Sequence, residues 1–283
     1  MSRFDPPSQS VIVGDVQRAL AEDLGSGDVT SEVCVPVSAT ARGEIIAKAE
    51  GVIAGLDAAR EVARQVDEGL AFAPRVAEGQ AVTRGEVVAE VSGSARSMLA
   101  WERTALNFLQ QLSGVATLTR AHVDRVRGTG TRVVDTRKTA PGMRALQKRA
   151  VLAGGGANHR LGLYDAILIK DNHIAIAGGV REALRAAQKR APHMMKIEIE
   201  VTTPEAAELA AELGADVIML DNMTVEQVRE SLARIRGRAL TEVSGGVTLE
   251  TIGAYAAEGV DIISVGQLTH SAPALDLSLE IRV

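Results

Sequence analysis

Seven cations gather between Thr136 and Lys170: Arg137, Lys138, Arg144, Lys148, Arg149, Arg160 and Lys170, with Asp165 the only acid among them. The whole chain carries a formal charge of −5, so this is a local cationic site in an acidic protein. Such a site suits a small polyanion. Guanidinium groups grip carboxylate or phosphate in two-pronged fashion, and lysines add point charge. A solvated helix face explains part of the cluster, because Arg144, Lys148 and Arg149 follow Pro141-Gly142 at helical spacing. Arg137, Lys138 and Lys170 instead follow short apolar runs. Two acids, Glu200 and Asp221, oppose them, and each comes directly after an apolar run. Carboxylates so placed hold a metal directly or through water, grip ribose hydroxyls, or stabilise developing positive charge. The plainer alternative is that each pairs with a neighbouring lysine.

Glycines supply a second signal. Ser244-Gly245-Gly246 and Val265-Gly266 follow later apolar runs. In α/β barrels, phosphate groups often rest on backbone N–H groups at that place. Gly154-Gly155-Gly156 lacks the Lys-Ser/Thr of a mononucleotide-binding loop and follows no strand. His159, His173 and His270 are scattered and do not form a metal set. His159, beside Arg160, suits hydrogen-bond donation to an anionic ligand, and His173 suits a structural role. The single cysteine, Cys34, excludes an internal disulfide and reads as a small core or strand residue.

What must position these groups is a run of short, Val/Ile-rich segments: Val133-Val134, Ala166 to Ile169, Ile197 to Ile199, Val217 to Leu220, Leu240 to Val243 and Ile262 to Val265. Apolar on consecutive residues, they suit parallel strands buried on both faces. Helical stretches alternate with them at Val180 to Arg190, Pro204 to Leu213, Val225 to Ile235 and Leu249 to Glu258. Strands that all end on polar groups describe an α/β barrel with its site at that end. Upstream, residues 11–24 read as a helix, and residues 40–94 read as short alternating strands and glycine turns. The helices at Ala95 to Leu112 and Val115 to Val126 are divided by Gly114. The division predicted is an α+β sandwich domain over 1–113, a barrel over 114–274, and a tail over 275–283 that returns to the first domain. Composition sets the outer limits. Hydrophobic residues make up 46% and aromatics only 2%, so the core is built from Ala, Val, Leu and Ile. Acidity argues against general nucleic-acid binding. No apolar run approaches the ~18 residues of a membrane span, Met1 to Gln9 has no secretory apolar core, and the lone cysteine points to the cytoplasm.

The residues themselves resemble a known family. Leu24-Gly25-Ser26-Gly27-Asp28-Val29-Thr30, Glu102-Arg103-Thr104-Ala105-Leu106-Asn107, Asp135-Thr136-Arg137-Lys138-Thr139, Asn158-His159-Arg160-Leu161, Leu168 to His173, Glu198 to Val201, Leu220-Asp221-Asn222 and Ser244-Gly245-Gly246 occur in that order. The chain thus resembles the quinolinate phosphoribosyltransferases, or carboxylating nicotinate-nucleotide pyrophosphorylases, from about Leu20 to His270. The resemblance implies a type II phosphoribosyltransferase-like barrel. It implies that quinolinate and phosphoribosyl pyrophosphate give nicotinate mononucleotide, pyrophosphate and carbon dioxide in de novo NAD synthesis. It also implies Mg2+, and a homodimer with shared active sites or a higher oligomer. Arg103 would reach the partner subunit's site. Thr136, Arg137, Lys138, His159, Arg160 and Lys170 would line the pocket. Glu200 and Asp221 would serve ribose and metal, while Ser244-Gly245-Gly246 and Val265-Gly266-Gln267 would hold phosphate. Lys138, Lys170, Glu200 and Asp221 would be the catalytic set. Gln267 departs from the small residue expected after Gly266.

The chemistry is consistent with the residues. Both substrates are polyanions. Loss of pyrophosphate builds cationic character on the sugar, as in glycoside cleavage, and Glu200 and Asp221 could offset it. The pyridinium formed by ring-nitrogen attack then draws electrons from the departing carboxylate, so no general base is required. Three rivals stand beside this reading. One is a same-fold paralogue such as the molybdenum-transport-associated protein. Another is a Schiff-base aldolase using Lys170 in an apolar setting. The third is a carrier module, which fails because no lysine lies between Lys48 and Lys138 to form the hairpin tip.

Overall fold

The computed structural model describes residues 9–282. The expectation about a secretory signal in Met1 to Gln9 therefore lies outside the described residues, apart from Gln9, where the first helix begins. Twelve strands are present among the described residues: β1 Thr40–Ala47, β2 Gly51–Val52, β3 Ala71–Pro74, β4 Ala81–Val82, β5 Val87–Ser94, β6 Arg132–Val134, β7 Ile167–Ile169, β8 Ile197–Val201, β9 Val217–Asp221, β10 Leu240–Ser244, β11 Ile262–Ser264 and β12 Leu277–Arg282. The chain forms two compact units, each discontinuous in sequence. One comprises residues up to 120, with 139–155 and 267 onward; the other comprises 121–138 and 156–266.

In the first unit, β1, β3, β5 and β12 make one antiparallel sheet in the order β12-β1-β5-β3, and β2 and β4 form a separate two-stranded ribbon. The tail pairs with β1 from Arg42↔Arg282 to Ala47↔Leu277. β1 alternates exposed and buried positions, the pattern of a sheet with one covered face. The cover includes the helix Ala95–Arg125, whose fully buried Trp101 donates its indole N–H to the Ala59 carbonyl at 3.0 Å. That helix runs unbroken through Gly114, contrary to the expected division. A Cβ there would come within 2.1 Å of the Pro273 carbonyl oxygen. The glycine is needed for close approach of the returning tail, not for a break. Cys34 is also corrected. It ends a one-and-a-half-turn helix, Val29–Cys34, and is exposed. The Asp28 carboxylate accepts the Ser31 N–H at 3.1 Å and fixes the start of this helix. Only Ser31 in the helix is buried.

The second unit is the barrel. Its six strands are all parallel, in the order β6-β11-β10-β9-β8-β7. That is the cyclic order of a barrel opened between β6 and β7. The helices Val180–Arg190, Pro204–Glu212, Val225–Ile235 and Ile252–Ala257 connect successive strands on the outside. Ile199, Ile218, Leu220, Val243 and Ile263 are almost fully buried beneath that layer. Burying such a side chain contributes roughly 1.5–3 kcal/mol. Register places Glu200 beside Met219, Glu242 beside Met219, and Ser244 beside Asp221. Because side chains alternate along a strand, these residues and Glu198 all face inward. The acids at the strand starts do different work. Asp216 accepts the Ile197 N–H at 2.7 Å, and Asp261 accepts the Thr241 N–H at 2.8 Å. They hold the closed end of the barrel, leaving Glu200 and Asp221 at the open one. Among the described residues, no helix is long and apolar enough to cross a membrane.

Candidate active site

The opening between β6 and β7 is closed by the segment that carries His159 and Arg160. Ala157 makes a parallel bridge to Val134. The completely buried Asp135, one residue past β6, accepts the Asn158 side-chain N–H at 2.5 Å and the His159 backbone N–H at 3.0 Å. Asp135 therefore adds a carboxylate clamp to this backbone pairing, and the clamp delivers His159 and Arg160 to the mouth. The His159 ring is held at both nitrogens. Nδ1 accepts the Arg160 backbone N–H at 2.7 Å, and Nε2 lies 3.0 Å from Glu198 Oε2. These partners assign the proton to Nε2. The Arg160 guanidinium donates to the Ala166 carbonyl at 3.1 Å. Burial, and then the nearby Arg137 guanidinium, push Arg160 below the usual arginine range. Two guanidiniums close together and partly desolvated form a site that an anion would stabilise.

The other strand ends complete the mouth. Lys170 Nζ donates to Glu200 Oε2 at 2.9 Å, with the lysine side chain 45% exposed and the glutamate 12%. This ion-paired, half-open lysine lacks the apolar setting a Schiff-base reading requires. His173 has the structural part expected for it: its Nδ1 accepts the Lys170 backbone N–H at 2.9 Å. Asp221 accepts from the Asn222 side chain at 2.6 Å, and Asn222 itself sits at φ 53°. Next to it, Gly245 has φ 88°, and a Cβ there would lie 2.3 Å from Asn222 Oδ1. The β10 loop can lie against the Asp221-Asn222 corner only because position 245 is glycine. Gly246 follows, exposed. Thr136 turns the first loop by accepting the Lys138 N–H at 3.0 Å, and Lys138 is exposed.

Val265 stands differently from expectation, and Gln267 and Arg103 belong to the first unit, where Arg103 was expected. Val265 donates its N–H to the Val134 carbonyl at 3.0 Å and buries its side chain, so it serves the barrel wall and leaves the loop to its neighbours. Gln267 is exposed and starts the short helix Gln267–His270, in the first unit. Arg103 is exposed on the helix Ala95–Arg125, also in that unit. The seven-cation cluster divides as well. Arg144, Lys148 and Arg149 belong to the first unit, where Arg149 pairs with Asp57, Arg144 donates to Thr139 at 3.1 Å and Lys148 is buried. Arg137, Lys138, Arg160 and Lys170 remain with the barrel.

Sequence reasoning missed the layer beneath the mouth. Glu198 and Glu242, inside runs that read as apolar, are 7% and 2% exposed, and with His159 they bring three potential ligand atoms within 4.8 Å. The available signal was their spacing, two residues before Glu200 and Ser244 on the inward face. Burial and the adjacent Glu198 carboxylate push Glu242 up to about 8, against a smaller downward pull from His159. An acid raised on folding stays protonated in the folded protein while the unfolded chain ionises. Its stabilising contribution is complete below the ordinary value of 4.5 and is lost as pH rises through about 8. The urea midpoint should therefore fall between pH 5 and 8, and fall less in Glu242→Gln. Parallel pH profiles for the two proteins would contradict this.

Comparison with known proteins gives a consistent result. The family model for the quinolinate phosphoribosyl transferase C-terminal domain matches residues 115–280, and that for the N-terminal domain matches 28–113. A probable carboxylating nicotinate-nucleotide pyrophosphorylase of Bacillus subtilis is 44% identical over 93% of this chain and 90% of that protein. A decarboxylating quinolinate phosphoribosyltransferase of Nicotiana tabacum is 40% identical over 98% and 84%. The structure of the nicotinate-nucleotide pyrophosphorylase from Francisella tularensis superposes with a TM-score of 0.95, at 38% identity, over the whole of both chains.

Proposed function

Because the chain belongs to the quinolinate phosphoribosyltransferase family, we propose that the barrel mouth is where its two substrates meet. The activity is decarboxylating phosphoribosyl transfer. Quinolinate and phosphoribosyl pyrophosphate yield nicotinate mononucleotide, pyrophosphate and carbon dioxide, a step in NAD synthesis. One observation carries the assignment of roles: Arg137 and Arg160 are partly buried and electrostatically coupled, on segments that adjoin the end of β6 in the same barrel whose strand ends carry Lys170, Glu200 and Asp221. Thr136, Arg137, Arg160 and Lys170 take the quinolinate carboxylates, with His159 behind them. Lys138 meets the pyrophosphate of the second substrate. Ser244, Gly245, Gly246 and Gly266 receive its 5′-phosphate. Glu200 and Asp221 face the ribose.

Bond making at the anomeric carbon follows from this placement. The pyridine nitrogen attacks as pyrophosphate leaves, and the electron deficiency on the sugar is offset by the two carboxylates. The pyridinium then accepts the electron pair released with carbon dioxide. The protein's part is to hold the ring and shield it. Glu200 and Asp221 are hard oxygen donors at an open strand end, each with a second carboxylate oxygen beyond the bond already described. That donor set fits Mg2+, which keeps waters and takes one or two carboxylates together with substrate phosphates. When bound, the ion would neutralise pyrophosphate charge. We also place the enzyme in the cytoplasm, as the single cysteine suggests, and as a homodimer in which Arg103 completes the partner subunit's site.

The test is release of pyrophosphate and carbon dioxide that depends on quinolinate. Its absence, with both substrates and Mg2+ present, would remove the reading. Arg137→Ala and Arg160→Ala should each weaken quinolinate binding about ten- to a hundredfold, the loss of one charge-assisted contact. Phosphoribosyl pyrophosphate binding should change far less. Calorimetric titration of both ligands decides it, and unchanged quinolinate affinity in both variants would take these arginines out of the pocket.

A further inference from the structure

We infer that Glu198 and Glu242, two carboxyls one layer below the mouth, brace the His159 ring and through it hold Arg160, making His159 a positioning residue and not a direct donor to the substrate. The inference rests on Arg160 binding the anionic substrate, as proposed above.

Both ring nitrogens are already engaged inside the protein, Nδ1 by the Arg160 N–H at 2.7 Å and Nε2 by Glu198 at 3.0 Å. The ring therefore has no N–H left to offer quinolinate. What it does fix is the backbone at Arg160. Asp135 holds the His159 N–H, the ring holds the next N–H, and the Ala166 carbonyl takes the guanidinium. Three successive restraints leave Arg160 little freedom at the site where a carboxylate would arrive. Glu198 in turn is backed by Glu242, whose Oε2 lies 3.7 Å from the same ring nitrogen. One oxygen of each glutamate, Oε1, is buried without a hydrogen-bond partner among the described residues. A neutral Glu242 carboxyl, favoured by its burial and by the Glu198 charge, lets this pair stand side by side.

The three donors could also suggest a metal site. A cation on Nε2 would need the lone pair there and would move the ring proton to Nδ1. The Arg160 N–H already points at Nδ1, so the metal would break the bond that fixes the arginine. The brace is the arrangement compatible with both contacts.

Side-chain 15N spectra of the free protein test the brace without substrate. His159 should show a protonated Nε2 and a bare Nδ1. Glu198→Leu should collapse this into a tautomer mixture, and Glu198→Gln should keep it, because the amide oxygen accepts the same proton. In kinetics, Glu198→Leu should raise the quinolinate KM about tenfold, leave the phosphoribosyl pyrophosphate KM within about twofold, and be rescued by Gln. A double-mutant cycle separates positioning from donation. His159→Ala combined with Arg160→Ala should lose no more quinolinate affinity than Arg160→Ala alone. Additive losses, or an unchanged His159 spectrum in Glu198→Leu, would overturn the inference. So would stoichiometric Zn2+ or Mn2+ binding that Glu242→Gln abolishes. If the spectra behave as stated but Arg160→Ala binds quinolinate normally, the substrate assignment fails and the brace itself stands.

Discussion

Glu200→Gln and Asp221→Asn should each lower kcat on the order of a hundred- to a thousandfold, the cost typical of removing one preorganised electrostatic group, while the protein folds normally. Both changes keep shape and delete charge. Each carboxylate sits at the open end of a strand, on the inward face, and each already has one fixed neighbour: Lys170 for Glu200, Asn222 for Asp221. Such neighbours hold the acids in place before substrate arrives, so little reorganisation is needed as positive charge grows on the sugar ring. The structural alternative is that Glu200 only pairs with Lys170. With Lys170 nearly half exposed, that pair contributes about 0–1 kcal/mol to stability. Its loss alone would shift the melting temperature slightly and leave turnover intact. The two explanations therefore predict different observables. Rates near wild type at ordinary Mg2+ concentration, in both variants, would mean that the acids are ion-pair partners and nothing more.

How far the sequence reveals this site depends on what a strand hides. Lys170, Glu200 and Asp221 are legible because each follows an apolar run, and a parallel strand buried on both faces must end before it reaches water. Glu198 and Glu242 are not legible in that way. They lie within Ile197–Val201 and Leu240–Ser244, where flanking isoleucine, leucine and valine make the segment read as continuous core. Only the alternation of side chains along the strand turns them inward, toward His159, which precedes both of them in the chain. The three cations Arg144, Lys148 and Arg149 mislead for the opposite reason. They lie close in sequence to Lys138, yet the segment 139–155 leaves the barrel and packs in the other unit. Composition sees a single cluster; chain path divides it. Gly114 misleads because glycine permits close approach as readily as it permits a turn, and a local pattern does not tell the two apart. Val265 shows the same limit on a smaller scale, since its neighbours resemble a phosphate loop while its own N–H belongs to the barrel wall.

Mixing two inactive variants, Arg103→Ala and Lys138→Ala, under conditions that exchange subunits should restore activity. Arg103 is exposed on a helix of the first unit, and Lys138 is exposed at the barrel mouth. Neither residue is needed to fill a core, so each substitution should leave its subunit folded. If each site takes Arg103 from one subunit and Lys138 from the other, a mixed dimer carries both defects in one site and neither in its twin. On a two-fold symmetric assembly, statistical mixing would then return roughly a quarter of all sites to full function. If Arg103 serves its own barrel, every site in every dimer keeps exactly one lesion whatever the mixture. Exchange is verified separately, by differential labelling of the two variants and detection of the mixed species. Mixed dimers that form and remain inactive would place Arg103 with its own chain's site, or outside the site altogether.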